Sequence, residues 1–283
     1  MFYKLLPYVK LIRPVHWIKN GLVFAPIFFG KKLFVWQTFL CGIKAFALFS
    51  LVASGIYILN DLHDRHRDKY HPQKANRPLA SGAVSTSTAL FMSGILLISG
   101  VGLGFAFNKQ LAVLIVVYIL LSEAYSLKLK HIAPLDAICV AMGYLLRILA
   151  GSVASGIETS RWLFLTSFFV ALFIALAKRL GELNIEDNTS HRPVLQSYSS
   201  GYLLAATSAT ASASLVTFAL YTVEKGHHDL VYAVIPASYG ILRYLLTITT
   251  RKGSEPIQIF LKDPQLQVAT FVLLTVMGWI IYR

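Results

Sequence analysis

The stretch Val52–Asp68 reads VASGIYILNDLHDRHRD. An apolar run that begins near residue 36 breaks here into Asn60, Asp61, Asp64 and Asp68, an N-D-x-x-D-x-x-x-D pattern. The run is long enough to cross a bilayer as a helix, so the polar cluster falls where that helix leaves the membrane. At about 100° per residue, Asp61, Asp64 and Asp68 lie within roughly 60° of one another on one helix face. Three carboxylates on one face repel each other, and a hard cation relieves the repulsion. Mg2+ prefers oxygen ligands and commonly shares a carboxylate or two with substrate phosphates. Asn60, Asp61, Asp64 and Asp68 are therefore the expected metal ligands. The competing reading is a solvated acidic helix end, which the basic residues Arg65, Arg67 and Lys69 weaken.

The rest of the chain is of the same kind. It has 283 residues, 56% hydrophobic and 14% charged, with a mean hydropathy of +0.62. That composition is of a polytopic membrane protein and leaves no room for a separate soluble domain. Apolar spans are expected over 15–30, 36–60, 86–106, 109–126, 134–157, 161–181, 198–223, 229–249 and 265–282. Together they predict one all-α domain over 1–283, a bundle of nine transmembrane helices with an active-site cavity facing the cytoplasm. The first span is the weakest, being short and carrying Lys19 and Asn20. Basic residues interleaved with apolar ones, and no small-residue cleavage site, argue against a signal peptide. Cys41 and Cys139 both fall inside apolar spans and read as packing residues, not as a disulfide or metal ligands.

Charge gives the orientation. With nine spans, the N-terminus shares one side with the loops after spans two, four, six and eight. That side holds Arg65, Arg67, Lys69, Lys74, Arg77, Lys128, Lys130, Lys178, Arg179 and Lys262, among others, while Lys31, Lys32, Lys109, Arg161, Lys225 and Arg283 lie opposite. The bias places the first side in the cytoplasm of a cell whose inner membrane the chain crosses many times. Asp61, Asp64, Asp68, Asp136, Glu182, Glu186, Asp187, Glu255 and Asp263 crowd the same side. Mixed charge at one face suits an anionic, metal-bound substrate. The net charge of +13 reads as affinity for phosphate and anionic lipid, and nucleic acid fits so apolar a chain poorly. A homo-oligomer is compatible with the composition.

The connections on that side carry the remaining signals. Arg13, Pro14, Trp17, Lys19 and Asn20 open the first span; Pro14 suits a helix start and Trp17 an interfacial belt. Lys19 either snorkels to the headgroups or meets substrate. After span two, His71, Pro72, Lys74, Arg77 and Pro78 form a stiffened basic loop, so a metal-bound diphosphate could meet acids through Mg2+ and bases directly. Span four ends with Tyr125, Ser126, Lys128, Lys130 and His131. Asp136 and Arg147 share a helix face, and Arg147 lies deep enough to demand a polar cavity or a buried ion pair. Lys178, Glu182 and Glu186 follow one another at four-residue steps, which fits a salt-bridged helix end as well as a second metal cluster. The Ala- and Ser-rich run 205–214 suits close helix packing. No Gly-rich nucleotide loop, His/Cys metal spacing or serine elbow is present.

These residues carry a resemblance. The aspartate motif closing span two, the acidic stretch after span six and the nine spans resemble the UbiA superfamily of intramembrane prenyltransferases. Within it the chain is most similar to the decaprenyl-phosphate phosphoribosyltransferase branch, through Arg13, Pro14, Trp17, Lys19 and Asn20; His71, Pro72, Lys74, Arg77 and Pro78; Tyr125, Ser126, Lys130, His131 and Asp136; Arg147, Ala150 and Gly151; and Lys178, Arg179, Glu182 and Leu183. Glu182 and Glu186 depart from the superfamily's second aspartate pair. The resemblance implies transfer of 5-phosphoribose from 5-phosphoribosyl diphosphate to a polyprenyl phosphate, with Mg2+ as cofactor and diphosphate released. It makes Asp61, Asp64, Asp68, Lys19, Asn20 and Tyr125 catalytic candidates, and Lys19, Lys74, Arg77, Lys130, Arg147 and Lys178 phosphate contacts. Glu182 and Glu186 would be subsidiary metal ligands.

Two other readings compete. The nearer is prenyl transfer from a prenyl diphosphate to an aromatic or other small acceptor, against which the basic loop and the Arg13–Asn20 segment argue. The other is a transporter, which should show internal repeats and polar broken helices near the midplane; no repeat is evident and the ionisable residues crowd one face.

Overall fold

Lipid offers the backbone no hydrogen-bond partner, so a chain this apolar must satisfy its N–H and C=O groups within helices. The structure, a computed structural model, describes residues 2–70, 74–183, 193–224, 228–250 and 255–283. All regular secondary structure among them is helical: α1 Phe2–Ile12, α2 Ala25–Phe29, α3 Trp36–Asp68, α4 Thr86–Phe107, α5 Lys109–Leu127, α6 Leu135–Ser155, α7 Arg161–Leu183, α8 Ser200–Glu224, α9 Val234–Thr250, α10 Pro256–Lys262 and α11 Pro264–Tyr282. Among the described residues, eight helices are long and apolar enough to cross a membrane, matching the second to ninth expected spans. The chain is a multi-pass membrane protein.

The first expected span, 15–30, is built differently. Pro14–Phe24 forms a 3-10 helix and only Ala25–Phe29 is α-helical. Pro26 withholds an amide, and polar anchors at Trp17 and Asn20 hold the segment by side chains. A 3-10 run of this length is unusual and marks a segment fixed by its surroundings.

The chain divides into two compact units, Met1–Leu127 with Leu146–Glu158, and Lys128–Leu145 with Thr159–Arg283. In the first, Phe49, Val52 and Ile56 of α3 pack with Leu111, Ile115 and Tyr118 of α5, Val23 of the 3-10 segment and Leu146 and Ala150 of α6. In the second, Phe173, Leu176 and Leu180 of α7 pack with Leu203 and Ala211 of α8, Tyr244 and Ile248 of α9 and Leu266 of α11.

The element that matters most for the site is α3. Its 33 residues span about 50 Å, against roughly 30 Å of hydrocarbon core. The surplus turns carry the aspartate motif beyond the apolar run.

Candidate active site

The motif is not a solvated helix end. Asp61 is 3% and Asp68 4% exposed, and carboxylates so deeply placed need partners. Arg77 supplies one to both: its Nη1 donates to Asp61 Oδ1 at 3.0 Å and to Asp68 Oδ2 at 2.6 Å. Arg13 Nη2 donates to the same Asp61 Oδ1. Asp64, half-buried on the same face, completes the acidic stretch.

Local structure explains why the two arginines arrive. Residues 74–84 fold into consecutive turns, with Arg77 N donating to Lys74 O at 2.9 Å, Ser81 N to Arg77 O at 2.9 Å and Val84 N to Pro78 O at 3.1 Å. Leu79 and Val84 bury against Leu11 and Ile58, which pins this loop beside α3. Arg13 has a left-handed backbone, φ 51°, a costly conformation for a residue with a Cβ. It turns the chain from α1 into the 3-10 segment and sets the guanidinium 5.4 Å from the Tyr57 ring centre. Burial lowers the pKa of Arg13, with Asp61 opposing the shift, although an arginine remains charged at neutral pH. Trp17, read from the sequence as an interfacial residue, donates from Nε1 to Ser54 Oγ at 3.0 Å, and Ser54 Oγ donates to Ile12 O at 2.9 Å. These contacts dock the 3-10 segment on α3. Lys19 and Lys74 are half-buried in the same unit.

Asn20 and Arg147 are brought together. Arg147 Nε donates to Asn20 Oδ1 at 2.7 Å, its Nη2 donates to Tyr118 Oη at 2.7 Å, and Asn20 Nδ2 donates to Ser50 Oγ at 3.0 Å. Asn20 is 1% and Arg147 5% exposed. Both sides of the Asn20 amide are thus engaged by protein, which favours a structural role over the expected sugar or phosphate contact. On α5, Ser126 Oγ donates to Asn60 Oδ1, so Asn60 ties α3 to α5, one residue from half-buried Tyr125.

The second unit holds the remaining expectations. Asp136 accepts from Arg179 Nε at 2.6 Å on one oxygen and from Tyr198 Oη at 2.5 Å on the other. Burial, reinforced by that hydrogen bond, pushes the Tyr198 hydroxyl far above the ordinary tyrosine range. Glu182 meets Arg179 Nη1 at 3.3 Å and Lys178 Nζ at 3.9 Å, and Lys178 also pairs with Glu255 at 2.5 Å. Two cations on Glu182 fit the salt-bridged helix end. Glu186 and Asp187, like His71 and Pro72, lie outside the described residues. Lys130 sits in the 3-10 turn Leu129–His131.

Sequence reasoning did not assign Arg13 to the site, although its place in the Arg13–Asn20 segment was a signal. Ser126 reads only as part of the stretch 125–131, and Ser54 carries no signal, because single serines in apolar helices are common.

Among the described residues, no three His, Cys, Asp or Glu side chains converge tightly enough to cage a metal ion by themselves. The donor set nevertheless fits Mg2+. One positive nitrogen of Arg77 already bridges Asp61 and Asp68, so a cationic centre can serve both carboxylates. A Mg2+ held by one or two carboxylates and completed by substrate phosphates needs no third protein ligand.

The sequence matches the UbiA prenyltransferase family over residues 22–273. The chain belongs to that family. It is 35% identical to a decaprenyl-phosphate phosphoribosyltransferase of Mycolicibacterium smegmatis, with 97% of this chain and 92% of the relative covered. It is also 35% identical to a decaprenyl-phosphate phosphoribosyltransferase of Corynebacterium glutamicum, over 92% of this chain and 82% of the relative. A UbiA homolog from Archaeoglobus fulgidus, solved bound to GPP and Mg2+, superposes with a TM-score of 0.75 at 18% identity, covering 98% of this chain and 99% of that one. At that identity the likeness establishes the fold. The resemblance read from the sequence is thereby borne out, and this chain is a transferase.

Proposed function

We propose that this chain transfers 5-phosphoribose from 5-phosphoribosyl diphosphate to a polyprenyl phosphate with Mg2+ as cofactor, on the cytoplasmic side of the inner membrane. The observation that carries the reading is near-full-length similarity to decaprenyl-phosphate phosphoribosyltransferases, joined to a site where two guanidiniums meet two buried carboxylates.

The acceptor phosphate is anionic at neutral pH, so the site needs no strong general base. The difficulty lies in expelling diphosphate from the anomeric carbon, which concentrates negative charge on the leaving oxygens. Mg2+, held by Asp61, Asp68 and Asp64 with Asn60 adjacent, would neutralise part of that charge when bound. Arg77 is placed to exchange a carboxylate for a phosphate oxygen, and its planar fork can keep the other. Arg13 stays on Asp61 and holds that carboxylate in its orientation. Lys19 and Lys74 supply further cations for the donor's anionic groups, and Tyr125 a hydroxyl; Lys130 and Lys178 remain phosphate contacts only as the sequence resemblance implies. Preorganised cations of this kind account for much of the catalysis of phosphate departure. Asn20 and Arg147 fix the 3-10 segment that carries Lys19.

Purified protein incubated with Mg2+, polyprenyl phosphate and labelled 5-phosphoribosyl diphosphate should yield a labelled lipid and free diphosphate. Chelation should stop the reaction. Consumption of a prenyl diphosphate with an aromatic acid, and no label transfer from the phosphoribosyl donor, would replace this reading by prenyl transfer.

A further inference from the structure

Glu123 lies on α5 near the end that reaches the aspartate motif. Its Oε1 is buried and accepts no hydrogen bond from any described residue, the one carboxylate oxygen among them in that condition. A buried acceptor left unmatched costs free energy that a ligand donor would recover.

Its surroundings identify the ligand class. Ser126, three residues on, donates to Asn60, and residues three apart on a helix lie one turn apart on neighbouring flanks. Tyr57, three residues before Asn60, bears the Arg13 guanidinium on its ring. Glu123 thus stands one turn of α5 from the contact that joins α5 to the motif, and Tyr57 one turn of α3 from it. An unmatched acceptor oxygen calls for a donor, and the ester and diphosphate oxygens of phosphate are themselves acceptors. A hydroxyl is the group it would accept. A phosphoribosyl donor offers ribose hydroxyls beside its anomeric carbon, whereas a prenyl diphosphate offers none. Carboxylates recognise ribose hydroxyls elsewhere in the same way.

We propose that Glu123 accepts a hydrogen bond from a ribose hydroxyl of the donor and so selects a phosphoribosyl over a prenyl diphosphate. The inference rests on the phosphoribosyl reading above.

The test measures kcat/KM for wild type, Glu123→Ala and Glu123→Gln with 5-phosphoribosyl diphosphate and with its 2-deoxy and 3-deoxy counterparts, across a range of Mg2+ concentrations. Wild type should prefer the full donor over the analogue that lacks the contacted hydroxyl. Glu123→Ala should lose roughly ten- to hundred-fold in kcat/KM on the full donor, and its preference over that analogue should collapse. Glu123→Gln keeps an acceptor oxygen and the side-chain volume, so it should fold as wild type and fall between the two. An equal loss on all three donors would make Glu123 structural, and a shifted Mg2+ dependence with the preference intact would make it a metal ligand; either overturns the proposal. If wild type turns over prenyl diphosphate and never the phosphoribosyl donor, the underlying reading fails first and takes this one with it.

Discussion

Arg77 bridges Asp61 and Asp68 through a single nitrogen, which leaves the rest of its fork for a phosphate. Lysine would keep the charge but lose the planar, multi-donor geometry. Arg77→Lys should therefore lower kcat/KM by roughly ten- to hundred-fold, the cost of a charge-assisted contact, mostly through the donor KM. Wild-type kinetics in this variant would remove Arg77 from the site. Asp61 calls for a gentler substitution than alanine, because truncation would strand the two arginines that share its Oδ1. Asp61→Asn keeps the shape while removing the charge, and should abolish turnover with the protein still monodisperse in detergent. The shared face of the three aspartates was legible in the sequence, since it follows from helical spacing alone. Their burial was not. It depends on a left-handed turn at Arg13 and on Leu79 and Val84 anchoring a loop, and these tertiary facts leave no local periodicity.

The elements that hold the site were read less completely. Hydropathy counts apolar residues without reporting which hydrogen-bond ladder they adopt, so 15–30 read as a ninth span although Pro14–Phe24 is 3-10. That segment lies so close to α6 that a Cβ built on Gly151 would run into the Val23 carbonyl. Neither backbone can yield freely. Gly151→Ala should destabilise the protein by about 1–3 kcal/mol, the usual cost of overpacking, and displace the segment that carries Lys19. Thermal unfolding in detergent would read the first effect and donor KM the second; an unchanged Tm would show that the two backbones have room to separate. At the start of α11, burial disfavours the charged form of Asp263, but hydrogen bonds from Arg243, the Leu266 amide and Thr247 outweigh it and hold its pKa below the ordinary carboxylate range. A folded value below the unfolded one gives stabilisation that is full above the unfolded pKa and fades as pH falls through the folded value. Amide protection at Gln265 and Leu266, which Asp263 caps, should hold steady down to about pH 4 and decline below it. In Asp263→Asn, protection should be lower and the acid decline absent.

For the whole molecule the open quantity is sidedness, and it decides which pool of substrate the enzyme meets. A phosphoribosyl diphosphate is charged at both ends and cannot cross lipid unaided, so the proposed reaction requires the aspartate motif to open to the compartment that contains it. By the positive-inside rule, the basic residues crowding the motif's side lead us to propose the cytoplasm. The crossing of α4 provides a test within one unit: the chain leaves α3 at Asp68, enters α4 at Thr86 and leaves it at Phe107, so residues 70 and 110 should face opposite compartments. Tyr70 is 88% exposed and Gln110 is exposed in the first turn of α5. Asn108 is a poorer probe, because its side chain caps α5 by accepting from the Gln110 and Leu111 amides at 2.8 and 3.1 Å. In a background with Cys41 and Cys139 replaced by alanine, Tyr70→Cys should resist a membrane-impermeant maleimide in intact cells and react once the membrane is opened. Gln110→Cys should react in intact cells. The reverse pattern would turn the site outward, where a cytoplasmic phosphoribosyl donor could not reach Arg77, and the proposed reaction could not proceed in that orientation.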